Sequence, residues 1–272
     1  MINTFLIIFV FVNTILNSQQ IRTLKSRFIN IDKLPVLIHD SLNVQNNKII
    51  TLSPGGFKGF YTFGLCKFLK ENYDLSEYIF SGASAGAWNS LYLCLNSDMD
   101  DFVETIFKID FKNIPNLNDI EQEIKRCILK KYKSEDFRLD KLYVGTTVFK
   151  RFRFKSIVYT EFDDLEDAIN CCMASSHIPF ITGGLFFKYR GLCSFDGGFS
   201  RYPYINGKYS NIHITPSIWE KEATKRLLPS LSINDYTRLL SNRKHNLTEL
   251  YLQGYQDALE NKKLDYLVGG AV

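Results

Sequence analysis

The chain of 272 residues contains 45% hydrophobic residues, which is enough to bury a substantial core and fits one large α/β domain. Its formal net charge of +4 is mild, so composition gives no reason to expect nucleic acid as a partner, although the sign suits an anionic membrane surface. The six cysteines include no C-x-x-C pair, which excludes the usual spacing of a zinc site and argues against a disulfide framework.

The chain opens with a short, mostly apolar segment from Thr4 to Leu16, followed by polar residues 17–20. The segment is shorter than the ~20 residues that a membrane span needs. No Lys or Arg precedes it, and no A-x-A cleavage site follows. Two interpretations of residues 1–20 stay open. A signal or anchor would place the protein at a membrane or in the secretory pathway, whereas a hydrophobic helix packed on the domain would suit a cytoplasmic protein.

The next part of the chain twice repeats a strand, a glycine turn and a helix. The apolar run K-I-I-T-L-S predicts a buried strand that ends at Pro54-Gly55-Gly56 and is followed by an amphipathic helix from Phe57 to Asn72. Tyr78-Ile79-Phe80 predicts a second strand, Gly82 to Gly86 a turn, and Ala87 to Leu95 one face of a second helix. Two such units predict a parallel sheet with right-handed crossovers.

The remaining sequence predicts further helices and strands. The expected helices are Asp100 to Ile109, Leu117 to Tyr132, Asp164 to Ser175, Thr237 to Leu240 and Leu247 to Asn261. The expected strands are Leu142 to Lys150, Arg153 to Thr160, Phe186 to Phe195 and Asn211 to Thr215. We therefore expect an N-terminal segment (1–20), a main domain (48–215) and a C-terminal helical region (216–272) that packs on it.

The second glycine turn carries a serine. Residues 82–86 read G-A-S-A-G, the G-x-S-x-G pattern of a nucleophile elbow. In such a turn Ser84 occupies a strained backbone position, and Gly82 and Gly86 let neighbouring strands approach it. The following helix directs its N-terminus at the serine hydroxyl, which favours an oxyanion there. The G-x-S-x-G pattern also occurs by chance in many proteins. Its position between an apolar strand and a helix favours the interpretation of Ser84 as a catalytic nucleophile.

The first glycine turn reads P-G-G-F-K-G, residues 54–59, and can point bare backbone amides at a ligand. Neither the Walker A spacing nor G-x-G-x-x-G is present, so the loop does not indicate nucleotide binding. With a candidate serine nucleophile downstream, an oxyanion hole is the better interpretation. A simple tight turn is the alternative.

A serine nucleophile needs a base, and the chain has only four histidines. They are His39, His177, His213 and His245. Asp196 lies in S-F-D-G-G, at the end of a predicted strand where Gly197 and Gly198 permit a sharp turn. A carboxylate can act as the base if it contacts the hydroxyl. The residues alone leave open a Ser-Asp pair and a Ser-Asp-His triad that uses His213 or His245, whose chain order fits.

Three segments in order, P-G-G-F-K-G, G-A-S-A-G and D-G-G, make the chain resemble the patatin-like phospholipases. The similarity covers roughly Ile49 to Ile214, and A-S-S-H-I-P-F at residues 174–180 also resembles a segment of those proteins. The resemblance implies a three-layer α/β/α sandwich with a mainly parallel central sheet. It also implies hydrolysis of lipid acyl esters through a Ser-Asp dyad, with no metal or organic cofactor.

Carried over to this chain, the resemblance implies that Ser84 is the nucleophile, Asp196 the base, and the amides of Gly55 and Gly56 the oxyanion hole. The supporting positions of the same motifs are Lys58, Gly59, Gly82, Gly86, Gly197 and Gly198.

Two positions depart from the family pattern. Pro54 stands where the first motif usually begins with glycine, and it has no N–H to donate. Lys58 replaces the commoner arginine, so the charge is kept but the guanidinium fork is lost. A non-catalytic lipid-binding module with the same fold is therefore a further alternative.

The partners that the sequence predicts are a lipid or phospholipid substrate and a membrane surface, without nucleic acid. The aromatic residues beside the glycine turn, together with Leu185-Phe186-Phe187, predict a preference for long acyl chains. The cationic stretch Lys150 to Lys155 is either a lipid-binding patch or the solvated face of an edge strand.

Overall fold

The computed structural model describes residues 37–38, 48–114, 116–150, 153–200, 203–205, 210–219 and 246–261. The N-terminal segment of residues 1–20 and the predicted helix from Thr237 to Leu240 lie outside these residues. The described chain is a mixed α/β protein whose central sheet is flanked by helices, which confirms the predicted fold class. In this part of the chain, no helix combines the length and apolar character that crossing a membrane requires.

Eight strands of the described residues form one sheet. They are β1 (Leu37–Ile38), β2 (Lys48–Leu52), β3 (Tyr78–Gly82), β4 (Leu142–Lys150), β5 (Arg153–Tyr159), β6 (Phe187–Tyr189), β7 (Leu192–Phe195) and β8 (Ser210–Ile214). Their order is β1-β5-β4-β3-β2-β8, and the hairpin β6–β7 joins through β4. The neighbours from β8 to β4 pair in parallel, as does β1 with β5, whereas β5 and β7 run antiparallel to β4. The parallel part carries the two strand-to-helix turns, as predicted.

The helices begin and end within two residues of their predicted bounds. They are α1 (Gly59–Asn72), α2 (Ala85–Leu93), α3 (Met99–Phe107), α4 (Leu117–Lys131), α5 (Leu165–Ser175) and α6 (Leu247–Glu260). Four of them start at a side chain that accepts a hydrogen bond from a backbone amide of the first turn, which satisfies donors that a helix leaves unpaired. These capping residues are Asp98, Asn116, Asp164 and Asn246.

Two predicted elements differ from the structure. The single strand expected from Phe186 to Phe195 is the hairpin β6–β7, which turns at Arg190 (φ 44°) and Gly191 (φ 77°). Two successive positive φ angles are typical of a tight hairpin turn, and an apolar pattern alone does not reveal them. The helix expected to begin at Phe57 begins instead as a 3-10 turn, Gly56–Lys58, that leads into α1.

Alternate residues of the strands face two apolar clusters, because successive side chains of a strand point to opposite faces. Ile50, Leu52 and Phe80 pack with residues from all six helices. The cluster on the other face consists of Ile49, Ile79, Tyr143, Val158 and Ile205.

Helices α1 and α6 cross with their backbones in contact at two glycines. A Cβ on Gly64 would collide with the carbonyl oxygen of Tyr251, and one on Gly254 would collide with that of Tyr61. The Tyr61 hydroxyl also donates to Asp257 Oδ2 at 2.6 Å. This close crossing fixes α1, the helix that follows the first glycine turn.

Candidate active site

Ser84 lies in the turn between β3 and α2 with φ 54° and ψ −126°, a strained backbone position for a residue with a side chain. Gly82 and Gly86 flank it at places with no room for a side chain. A Cβ on Gly82 would collide with the carbonyl oxygen of Gly86, and one on Gly86 with that of Leu52. A strained serine between two such glycines, at the start of a helix, has the geometry of a nucleophile elbow.

The Ser84 hydroxyl donates a hydrogen bond to Asp196 Oδ2 at 2.7 Å. Asp196 follows β7, and the pairing of β7 with β4 brings the end of this strand beside the elbow. The second carboxylate oxygen, Oδ1, accepts the backbone amide of Gly198 at 2.6 Å. The Asp196 amide donates to the His177 carbonyl at 2.7 Å, so the residue is held through both its backbone and its side chain.

The two glycines after Asp196 are required by close contacts. A Cβ on Gly197 would collide with the carbonyl oxygen of Gly145 and lie 2.7 Å from the Ala83 side chain. A Cβ on Gly198 would lie 2.8 Å from Asp196 Oδ1. The D-G-G turn thus allows the carboxylate to approach the serine.

Asp196 is 6% exposed. Burial raises its pKa to about 6, against the opposing effect of the hydrogen bonds from the Ser84 hydroxyl and the Gly198 amide. A carboxylate with this pKa is a stronger base than an exposed one, yet it is largely ionised at neutral pH. Asp196 can therefore accept a proton from the Ser84 hydroxyl.

The glycine loop lies beside the serine. Gly56 has φ 52°, and it lines the same cavity as Ser84 and Asp196, whereas Gly55 does not line it. Within the described residues, the Gly55 and Gly56 amides make no hydrogen bond to another backbone group. Both amides are therefore candidate donors to a ligand.

The other two motif residues of this loop differ in their surroundings. Gly59 packs against the start of α2, since a Cβ on it would lie 2.6 Å from the Ala85 Cβ. Asn89 Nδ2 donates to the Gly59 carbonyl at 3.0 Å, which ties the loop to α2. Lys58 is exposed and does not line the cavity.

Ser175 also belongs to the candidate site, and the sequence analysis did not predict a role for it. Its hydroxyl accepts the backbone amide of Ser84 at 2.8 Å and donates to the Gly145 carbonyl at 2.6 Å. Because this contact occupies the Ser84 amide, and the Gly86 and Ala87 amides donate to the Ala83 and Ser84 carbonyls, the amides of the glycine loop and of Ala85 are left as candidate oxyanion donors. Ser175 belongs to A-S-S-H-I-P-F, whose recurrence in the family was the only signal that could have found it.

Each of the two described histidines has a ring nitrogen within hydrogen-bond distance of a threonine hydroxyl. His177 Nδ1 lies 3.2 Å from Thr182 Oγ1, and burial lowers the pKa of this imidazole. His213 Nδ1 lies 2.8 Å from Thr51 Oγ1. The other two histidines, His39 and His245, lie outside the described residues.

A cavity of about 150 Å³ has Ser84, Asp196 and Gly56 in its wall and is otherwise lined mainly by α1, α2, α3 and α4. Most of this lining is apolar and includes Phe60, Phe63, Tyr92, Phe102, Ile124 and Ile128. Across the described chain, no cluster of His, Cys, Asp or Glu side chains could hold a metal ion. The cavity can accommodate an apolar group next to the serine hydroxyl.

The solved structures that are similar to this chain include two at low identity. A search among curated proteins found no match. VipD from Legionella pneumophila is 13% identical with a TM-score of 0.36, over 60% of this chain and 48% of VipD. A chain of the heterodimeric ExoU–SpcU complex, from the type III secretion system of Pseudomonas aeruginosa, is 14% identical with a TM-score of 0.32. That match covers 79% of this chain and 52% of the other. The chain therefore spans about half the length of these two proteins.

The model of the patatin-like phospholipase family matches residues 50–204. This match contains the glycine loop, the elbow and the D-G-G turn. Because the match covers more than half of the chain, the protein belongs to the patatin-like phospholipase family.

Proposed function

We propose that the protein is a phospholipase A-like lipid acyl hydrolase that cleaves carboxylic esters with a dyad of Ser84 and Asp196. The observation that carries this proposal is the 2.7 Å hydrogen bond from the Ser84 hydroxyl to Asp196, made at the wall of an apolar cavity. A nucleophile in hydrogen-bond contact with its base is the arrangement that covalent catalysis requires.

In the first half of the reaction, Asp196 takes the hydroxyl proton as Ser84 Oγ attacks the ester carbonyl carbon. The carbonyl oxygen becomes an oxyanion, and the Gly55 and Gly56 amides with the N-terminus of α2 stabilise it. Collapse of this intermediate breaks the bond to the alcohol, which leaves with the proton from Asp196. The acyl group stays on Ser84.

In the second half, water attacks the acyl-serine while Asp196 takes one of its protons. The second tetrahedral intermediate collapses, the fatty acid leaves, and Ser84 recovers its proton. Each oxyanion donor contributes roughly a hundredfold to a thousandfold in rate in the best-studied hydrolase. The burial of Asp196 supports its role as base, because the raised pKa strengthens its hold on the proton.

The apolar cavity is the proposed acyl site. Burial of each methylene is worth about 0.8 kcal/mol, so an acyl chain gains affinity as it fills the space between the helices. We expect kcat/KM to increase with acyl length until the chain reaches the end of the cavity near Tyr92 and Ile128.

Large apolar side chains are exposed at the end of the sheet where Ser84 lies, which is the end formed by the carboxyl ends of the parallel strands. Gly82, the last residue of β3, pairs with Val144 of β4. Residues 145–150 of β4 therefore extend past the end of β3. On this extension and its β5 partner, Phe149 is 40% and Phe154 51% exposed, and Lys150 is exposed. Further exposed apolar side chains on the neighbouring segments are Phe180, Leu185, Phe186 and Phe199.

We propose that this surface docks on an anionic lipid bilayer, which would bring the substrate to the serine. Changing Phe149 and Phe154 together to serine should reduce cosedimentation with anionic vesicles, and salt should weaken the binding of the unaltered chain. The matched control changes Leu252 and Leu259, two exposed leucines of α6, to serine. Equal vesicle binding by both double variants would contradict this docking surface.

The test of the proposed activity is hydrolysis of esters from acetyl to palmitoyl and of phospholipid vesicles. Ser84→Ala and Asp196→Asn should each lower kcat/KM by about a thousandfold or more while the fold survives. The matched control is Ser194→Ala, which removes a buried hydroxyl of β7 that has no partner among the described residues. Vesicle binding without any ester hydrolysis would identify a lipid-binding module instead.

A further inference from the structure

Glu121 interrupts the apolar face that α4 turns to the cavity. Its neighbours on that face recur at helical spacing and are Leu117, Ile120, Ile124 and Ile128. Glu121 lines the same cavity and is only 9% exposed. The other acidic residues of α4 lie elsewhere, since Asp119 is exposed and Glu123 pairs with Arg126.

Two polar side chains lie beside Glu121: Trp88, which belongs to α2, and Ser176, which directly follows α5. The Trp88 indole donates to Ser176 Oγ at 3.0 Å, and the Ser176 hydroxyl donates to the Cys172 carbonyl at 2.9 Å. Both side chains also line the cavity. No ion pair among the described residues involves Glu121.

The Glu121 carboxyl is buried in a mainly apolar cavity wall and has no cationic partner among the described residues, which favours its neutral, protonated form. Burial raises its pKa to about 8, the Ser176 hydroxyl opposes this, the charge of Asp196 adds to it, and the Trp88 indole opposes it. The charged and titratable groups that face it among the described residues are Asp196 and the buried Cys172 thiol, beside the neutral Ser176 hydroxyl and Trp88 indole. A protonated carboxyl supplies one O–H donor to the cavity.

A buried O–H donor is costly when its binding site is filled with hydrocarbon, because no acceptor is present. An oxygen atom on the bound chain would supply that acceptor. Trp88 lies four residues after Ser84 along α2, roughly 6 Å along the helix axis. The Trp88 indole faces the Glu121 carboxyl, so a chain that starts at Ser84 and runs along α2 would reach this carboxyl at about its fifth carbon.

We propose that Glu121 makes the acyl site selective for chains that carry an oxygen function near the fifth carbon, by donating a hydrogen bond to that oxygen. This inference rests on the proposed function, because it places the acyl chain of the cleaved ester in the cavity. Glu121 is then a specificity-determining residue that contacts the chain and takes no part in bond breaking.

The test measures binding in full-length Ser84→Ala protein, which cannot cleave the ligand. With Trp219→Phe added, Trp88 is the one remaining tryptophan, since the chain has two, and its fluorescence reports occupancy of the cavity. The two ligands are methyl decanoate and methyl 5-oxodecanoate, whose keto oxygen is an acceptor only. At pH 7 the keto ester should bind about tenfold to a hundredfold more tightly.

Glu121→Leu should abolish this preference and tighten binding of methyl decanoate, because leucine completes the apolar face. Glu123→Leu, on the same helix but outside the cavity, should keep the preference. Raising the pH to 9.5 provides a test without a variant at this position, since ionised Glu121 has no proton to donate and the keto preference should disappear.

Equal affinities of the two esters at pH 7, or a preference that survives both Glu121→Leu and pH 9.5, would overturn the role of Glu121. If the protein with Ser84 intact still hydrolyses decanoyl esters, that outcome does not contradict the proposed function. Absence of ester hydrolysis by the Ser84 form would overturn the proposed function instead.

Discussion

The Ser175 hydroxyl accepts a hydrogen bond from the backbone amide of Ser84 at 2.8 Å. Its own proton goes to the Gly145 carbonyl at 2.6 Å, so one buried side chain joins the end of α5, the elbow and β4. The contact holds the serine backbone in its strained conformation. We therefore propose Ser175 as a positioning residue for Ser84, the proposed nucleophile, which it contacts through the main chain.

Ser175→Ala should lower kcat by about tenfold or more with little change in KM, because a misplaced nucleophile reacts slowly with substrate that is still bound. It should also cost about 1 to 3 kcal/mol of unfolding free energy, since the Ser84 amide loses its acceptor in a buried site. Steady-state kinetics and urea denaturation measure the two effects. Ser194→Ala is the matched control. A variant that loses stability but keeps full kcat would show a purely structural role.

The elbow could be predicted from the sequence because its determinants are local. Gly82, Ser84 and Gly86 follow an apolar strand and precede a helix, and the structure places them there. The pairing of Ser84 with Asp196 joins residues 112 positions apart. The residues alone left it as one of two alternatives beside a Ser-Asp-His triad, and the family resemblance favoured it. A local sequence pattern does not show which residues far apart in the chain will contact each other in the fold.

The features that the sequence did not predict depend on tertiary contacts. Ser175 differs from other serines only in what the fold brings to it. Glu121 falls at the spacing of the apolar residues of α4, but a pattern drawn from apolar residue types passes over a glutamate, so the burial of this carboxyl was not predicted. The hairpin turn at Arg190 and Gly191 was missed because the apolar pattern continues through it.

Activity should depend on the ionisation of Asp196, whose pKa burial raises to about 6. A protonated carboxyl cannot accept the Ser84 proton. Therefore kcat/KM should fall about tenfold per pH unit below this value and level off above it. The measurement is a pH profile at constant ionic strength, with circular dichroism at each pH to verify folding. Undiminished kcat/KM in folded protein at pH 4.5 would contradict Asp196 as the base.

Replacing the histidines should leave catalysis nearly intact. His177→Gln, His213→Gln and His245→Gln should each keep kcat/KM within about tenfold of the unaltered protein, because the proposed relay contains no imidazole. His177→Gln keeps the backbone carbonyl that accepts the Asp196 amide. If any one of these variants lost as much activity as Ser84→Ala, a Ser-Asp-His triad would replace the dyad.

The crossing of α1 and α6 should tolerate no side chain at Gly64. Gly64→Ala places a Cβ against the Tyr251 carbonyl, so the helices must separate, at a cost of about 2 kcal/mol or more of unfolding free energy. Gly184→Ala is the matched control, because a Cβ there meets no atom within 4 Å. Urea denaturation compares the two. Equal stability of the variants would show that the close crossing does not hold in solution.

The most direct test of the dyad is the rate at which a fluorophosphonate labels the protein, with the labelled residue identified by mass spectrometry. The reagent reacts with an activated serine without requiring a particular lipid. We expect a single label on Ser84, and labelling of Asp196→Asn that is about a hundredfold slower or more, in protein shown to be folded by circular dichroism. A label on another serine, or labelling of Asp196→Asn at the unaltered rate, would contradict a Ser84–Asp196 dyad.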